Sequence, residues 1–217
     1  MIEQIVYNIL SSKRYIFWDF DGVIKESVEV KSDAYENLFK SFGDEIAEKV
    51  RNHHEENGGV SRFDKLPLYL EWAGQDLSPS LIEDYSERFS KLVKQNVINS
   101  DWVKGVLDFI HIHSKKQTFF LVTATPQLEI EEILDTLQLK KFFCRVIGAP
   151  ISKDKAINQI LTEFSIKPEK ALMIGDSSSD YDAALANQVP FILRRTNLND
   201  SLQKRISCPM INDFCDE

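Results

Sequence analysis

Five short apolar runs, at residues 15–19, 118–123, 144–148, 170–175 and 190–194, constrain this chain more than any other feature. Each is rich in Phe, Val, Ile and Leu, and stretches of helical periodicity separate most of them. Strands buried on both faces and alternating with helices give a parallel sheet covered on both sides, so the expected fold is α/β, doubly wound and Rossmann-like. Residues 27–98 break the rhythm. No comparable strand occurs there, and Leu81, Tyr85, Phe89, Leu92 and Val93 recur at helical spacing. The expected organisation is therefore a core of residues 1–26 and 99–217 with an all-helical cap inserted at 27–98. The cap joins through short hinges near 24–28 and 97–102. Gly43, Gly58-Gly59 and Gly74 divide it into about four helices, and Ser61 with Asp64 predicts a capping box at the third. Pro67 inside that helix predicts a kink or a displaced start. Pro209-Met-Ile predicts a short last strand.

Function classes narrow next. A formal charge of −8 disfavours nucleic acid and anionic membranes as partners, because neither gains the counterion release a basic surface provides. No stretch reaches the roughly 20 apolar residues of a membrane span, and the start has no basic, apolar leader pattern. Cys144, Cys208 and Cys215 show no paired metal spacing and predict reduced thiols, so the expected setting is cytoplasmic.

The chemistry gathers at strand ends. Asp19 and Asp21 follow Tyr15-Ile-Phe-Trp18, and strand alternation projects both from one face while Phe20 turns into the core. Gly22 then permits a sharp turn at the carboxyl end, where open α/β sheets place ligands. The second long run ends in Thr123-Ala124-Thr-Pro, whose hydroxyl and backbone amides suit an anion, although threonines also end many strands for structural reasons. Lys153 stands at a helix start after Ser152, where a cation is unfavourable unless it meets an anion; a solvated surface lysine is the alternative. Gly175-Asp176-Ser-Ser-Ser-Asp180 follows another buried strand, with two carboxylates on one face of the helix that begins there. Asp180 alone also reads as a helix cap. Four converging carboxylates require proton uptake or a cation, and an all-oxygen donor set favours magnesium.

Together, Asp19-Phe-Asp21-Gly22, Thr123, Lys153 and Gly175-Asp176-Ser-Ser-Ser-Asp180 resemble the four ordered motifs of the haloacid dehalogenase-like hydrolase superfamily. The helical insertion resembles the type-1 cap of its phosphoglycolate phosphatase and beta-phosphoglucomutase branch, and Gly59-Val-Ser-Arg62 is similar to the cap loop of that branch. The resemblance implies a magnesium-dependent hydrolase of a small phosphomonoester acting through an aspartyl-phosphate. Asp19 would be the nucleophile and Asp21 the general acid and base. Thr123 and Lys153 would hold the phosphoryl group, with Asp19, the Asp21 carbonyl, Asp176 and the outer Asp180 around the metal. Arg62, Lys65, Lys25 and Ala124 are the candidate substrate contacts; the three cations also read as surface charges. An aspartate two places after the nucleophile separates this pattern from members cleaving carbon–halogen or carbon–phosphorus bonds. A phosphosugar mutase shares the motifs, and a non-catalytic phospho-ligand sensor would be expected to lose one of them. A receiver domain would lack both the insertion and the Gly175-Asp176 strand end. The expected partner is a small phosphorylated metabolite, and the expected state a monomer or weak homodimer. His53, His54, His111 and His113 fall at spacings that form no helical metal site and read as surface or packing residues.

Overall fold

The computed structural model describes residues 4–215. In chain order the elements are α1 (Gln4–Ser12), β1 (Tyr15–Trp18), α2 (Val28–Phe39), α3 (Asp44–Glu56), α4 (Arg62–Trp72), α5 (Pro79–Asn99) and α6 (Val106–His113). There follow β2 (Thr118–Pro126), α7 (Gln127–Thr136), β3 (Phe143–Ala149), α8 (Lys153–Glu163), β4 (Ala171–Gly175), α9 (Ser178–Ala186), β5 (Phe191–Arg194), α10 (Asp200–Arg205) and β6 (Met210–Ile211). The strands form one parallel sheet in the order β3-β2-β1-β4-β5-β6. Chain progression runs outward from β1 to β3 on one side and from β4 to β6 on the other. The reversal falls between β1 and β4, the position at which such sheets open a crevice beyond their carboxyl ends.

Alternation along the strands builds two cores. Ile16, Trp18, Leu121 and Ile174 face one layer with α1, α6 and α7, continuous with the helices that follow β1. Phe17, Phe120, Met173 and Leu193 face the other, against α8 and α9. Both faces of β1 are therefore buried, which is why its sequence is uniformly apolar until Asp19.

Among the described residues, α2, α3, α4 and α5, with a 3-10 turn at Lys40–Phe42, are the regular elements between β1 and residue 100. Tyr35, Phe39, Tyr69, Tyr85 and Phe89 pack into an aromatic centre for this layer. Its two connections run side by side, with Glu26 N–H donating to the Asp101 carbonyl and Val103 N–H to that of Ile24. Pro67 lies within α4, which runs from Arg62 to Trp72 and begins directly after Ser61, so its start is not displaced. Ser61 caps α4 by accepting from Phe63 N–H, and the reciprocal Asp64 arm of the expected box is not formed.

Candidate active site

β1 and β4 deliver the acidic floor of a cavity. Asp19 leaves the end of β1, its N–H donating to the Ile174 carbonyl, so the strand ladder fixes its backbone. Gly22 turns the chain with φ +73°, and a Cβ there would overlap the Asp176 carboxylate. Glycine is therefore required both for the left-handed turn and for the close approach. At Gly175 only the close approach applies, because the Asp180 side chain would overlap any Cβ at that position. Asp180 closes a capping box with Ser177 at the start of α9.

Carboxylate oxygens of Asp19, Asp176 and Asp180 lie within 4.8 Å of one another, and all three residues are buried. Lys153, at the first position of α8, answers part of that charge: its Nζ is 2.9 Å from Asp19 Oδ2 and 2.6 Å from Asp180 Oδ1. The balance remains negative. Burial, then the Asp180 charge, pushes the Asp19 carboxyl up to about 7, and burial, then Asp19, pushes Asp176 well above the aspartate range. Burial opposes the charge on Lys153, but Asp180 and Asp19 outweigh it and raise its basicity. Asp19 Oδ1 is buried with no hydrogen-bond partner.

These groups fit a divalent metal. The donors are hard oxygens, like charges are crowded together, and one carboxylate oxygen is orphaned. Asp180 is differently placed, because Oδ1 accepts from Lys153 and Oδ2 from Ser177 N–H and Oγ. Its committed oxygens suit an outer, orienting position.

The Asp21 side chain lies outside that acidic cluster. It accepts from Ser27 Oγ at 2.6 Å, from Lys31 Nζ at 2.5 Å and from Thr125 Oγ1 at 3.2 Å. Burial works to raise its pKa, but Lys31 and these hydrogen bonds prevail and hold it below the ordinary value. Lys31 also donates to Thr125 Oγ1, so Lys31, Thr125 and Asp21 form a closed triangle.

Asp19, Asp21, Thr123, Ala124, Thr125, Lys153 and Asp176 border one cavity; Lys31, Tyr35, His54, Gly58, Gly59, Arg62 and Phe89 border it from the helical layer. The two sides touch at defined points. Arg62, stacked over the Phe89 ring, holds Glu129 of α7 through both guanidinium nitrogens at 3.0 and 2.5 Å, and Ser90 donates to the same carboxylate. Ser179 Oγ donates to the Gly59 carbonyl, and a Cβ on Gly59 would overlap the Ser177 and Ser179 hydroxyls.

Three candidate contacts differ from expectation. Lys25 is turned away from the cavity: it donates to the Ile98 carbonyl at 3.1 Å and lies over the Trp102 ring. The hinge pairs at this point, Lys25 bridging Trp102, so local alternation carries the side chain into the hinge. Lys65 is buried behind the lining, 2.9 Å from His54 Nδ1. Arg62 reaches the cavity wall with its guanidinium already paired to Glu129. None of the three is a surface charge. Lys31, His54 and Thr125 escaped sequence reasoning. Thr125 had a signal, since it shares the strand end with Thr123; Lys31 and His54 had none beyond helical register.

A family model described as haloacid dehalogenase-like hydrolase matches residues 16–193. A phosphorylated carbohydrates phosphatase of Thermotoga maritima is 30% identical over 182 residues, covering 78% of this chain and 79% of that protein. A phosphoglycolate phosphatase of Aliivibrio fischeri is 34% identical over 181 residues, with 80% of each covered. Among solved structures, that of CbbY from Rhodobacter sphaeroides in complex with phosphate shares the fold with a TM-score of 0.75 at 15% identity, covering 93% of this chain and 95% of that one.

Proposed function

This chain belongs to the haloacid dehalogenase-like hydrolases, and we propose from that premise that it hydrolyses a small phosphomonoester through a phosphoaspartate on Asp19. The observation that carries the reading is the Asp19 carboxylate itself: fixed at the end of β1, held on Oδ2 by Lys153, and with Oδ1 buried and unpartnered in a cavity rimmed by anion-binding groups. An oxygen so placed is a nucleophile with its lone pair unspent.

In the first half-reaction Asp19 attacks phosphorus and the ester oxygen departs; in the second, water attacks the phosphoaspartate and Asp19 is regenerated. Lys153, with the hydroxyl of Thr123 and the backbone amide of Ala124, meets the spread negative charge of the transferring phosphoryl group. Asp21 gives a proton to the leaving oxygen and later takes one from the attacking water. In the arrangement seen, Lys31, Ser27 and Thr125 favour its ionised form, the one required for the second half. Magnesium, bound by Asp19, Asp176 and the Asp21 carbonyl with Asp180 orienting them, would neutralise the carboxylate and phosphoryl oxygens so that two anions can approach. The layer α2–α5 acts as a cap. Its contacts at Gly59, Ser179, Arg62 and Glu129 close the cavity and exclude water from the first half-reaction.

Both phosphoglycolate and phosphosugars suit the names of the relatives, and the close cavity favours the smaller. Phosphate release from a panel of such esters, with magnesium or chelator, tests the reading. Metal-dependent turnover lost in Asp19→Asn supports it; metal-independent turnover surviving that substitution contradicts it.

A further inference from the structure

The cap side of the cavity contains a polar group that the phosphoryl chemistry leaves unused. His54, on α3, is 3% exposed and borders the cavity. Its Nδ1 lies 2.9 Å from Lys65 Nζ, and its ring packs on Tyr35 at 4.8 Å between centroids. An ammonium has only hydrogens to give, so with Lys65 protonated Nδ1 accepts and the imidazole proton resides on Nε2. That Nε2 is buried and has no partner. With Nδ1 committed to Lys65, it is the free polar atom of a ring on the cavity wall.

Lys65 has no carboxylate answer of its own. It meets His54 and the Tyr35 face, whereas Lys31 is paired with Asp21 and Arg62 with Glu129. Burial, then the charge of Lys31, holds Lys65 well below the lysine range, and burial, then Lys65, does the same to His54. A buried cation beside an unused N–H is costly until an anion arrives. The charge of Arg62 is already answered, because Glu129 accepts from both of its terminal nitrogens.

We propose that His54, oriented from behind by Lys65, is the specificity-determining residue for the non-reacting end of the substrate, and that its Nε2–H donates to an anionic oxygen there, from a carboxylate or a second phosphate. The proposal rests on the phosphatase reading and adds what the rest of the ester must carry. The cavity leaves about 30 Å³ of free space, room for roughly two or three water-sized groups. Any phosphomonoester is larger than that, so the cap must withdraw to admit it, and a compact ester asks for the smallest opening.

Three esters of similar reach separate the sources: 2-phosphoglycolate ends in a carboxylate, ethane-1,2-diol bisphosphate in a second phosphate, and ethyl phosphate in neither. With the full chain and magnesium, kcat/KM is expected to favour one or both anionic-ended esters over ethyl phosphate, and the better of the two names the source. His54→Phe should shrink that preference roughly 10- to 100-fold, chiefly through KM. Lys65→Met should shrink it in the same direction, and His54→Gln, whose amide still donates, should restore part of it. No preference in the natural protein, or equal losses on all three esters, would overturn the proposal and leave His54 a packing residue. If no ester is turned over, the phosphatase reading fails separately. Calorimetric binding of phosphoglycolate and ethyl phosphate to Asp19→Asn, with and without His54→Phe, then decides: a His54-dependent difference supports the oxyanion site, and its absence overturns it.

Discussion

The floor and the roof of the cavity solve opposite electrostatic problems. The floor collects Asp19 and Asp176 from the ends of β1 and β4 and Asp180 from the start of α9, with Lys153 as their cation, and the Asp19 and Asp176 carboxyl groups hold protons too strongly. The roof brings Lys31, Lys65, His54 and Arg62 out of water, and Lys65 and His54 hold their protons too weakly. Crowded acids await a cation, and buried bases await an anion. On the proposed function, a magnesium ion and a substrate with an anionic tail would complete both at once, so that the cavity would serve a ligand set rather than its own stability.

Substitutions can break this contrast. The largest effect is expected at Asp19, where Asn keeps the shape but removes the nucleophile; kcat for phosphate release should fall roughly 10⁴-fold or more. Asp21→Asn should cost roughly 10²- to 10⁴-fold, the range for losing general acid–base assistance. Arg62→Ala tests the tie between roof and floor. It strands the Glu129 carboxylate, 6% exposed, without its partner, so thermal unfolding should register a loss of about 3–5 kcal/mol. Replacing the pair together, as Arg62→Met with Glu129→Leu, should recover most of that stability while KM stays raised. An unchanged melting temperature in Arg62→Ala would mean that the tie carries little of the fold.

The smallest effect sharpens the account of the floor. Asp19 titrates near 7 in the folded chain against an ordinary value of 3.8. Its folded pKa is raised, so its stabilising contribution is complete below 3.8 and is lost as pH climbs through about 7. The metal-free protein should therefore weaken across that window. Magnesium competes with the bound proton, so it should raise the melting temperature roughly 3–6 °C more at pH 8 than at pH 5.5. An equal rise at both values would place the metal away from Asp19.

Floor and roof also differ in how plainly the sequence announces them. Asp19 and Asp176 directly follow buried strands, and strand periodicity states where such a run stops and which face the next side chain takes; β2 runs on to Pro126, past the end expected at Thr123. The sheet, its last strand and the helical stretch after β1 were legible for the same reason. Lys31, His54 and Arg62 lie on three different helices. Helical register tells which face is buried but not which helices share it, so neither the Lys31–Asp21 nor the Lys65–His54 contact leaves a local pattern. Lys25 misled because it stands beside the motif in sequence; the pairing of the hinges, which depends on Trp102 far along the chain, turns it away. Pro67 offered a displaced start as one outcome, yet α4 begins at Arg62, with Leu66, Tyr69 and Leu70 buried around the proline.

The measurement that most directly tests the account is a chemical quench of the Asp21→Asn variant, mixed with magnesium and p-nitrophenyl phosphate, an ester whose leaving group departs without a proton, followed by mass analysis of the peptide containing Asp19. Loss of the base slows the second half-reaction, so one phosphoryl group should accumulate on Asp19 and be absent when Asp19 is also replaced by Asn. Turnover of the ester with no phosphoryl group on that peptide at any time, or a phosphoryl group on another residue, would contradict the assignment of Asp19 as the nucleophile.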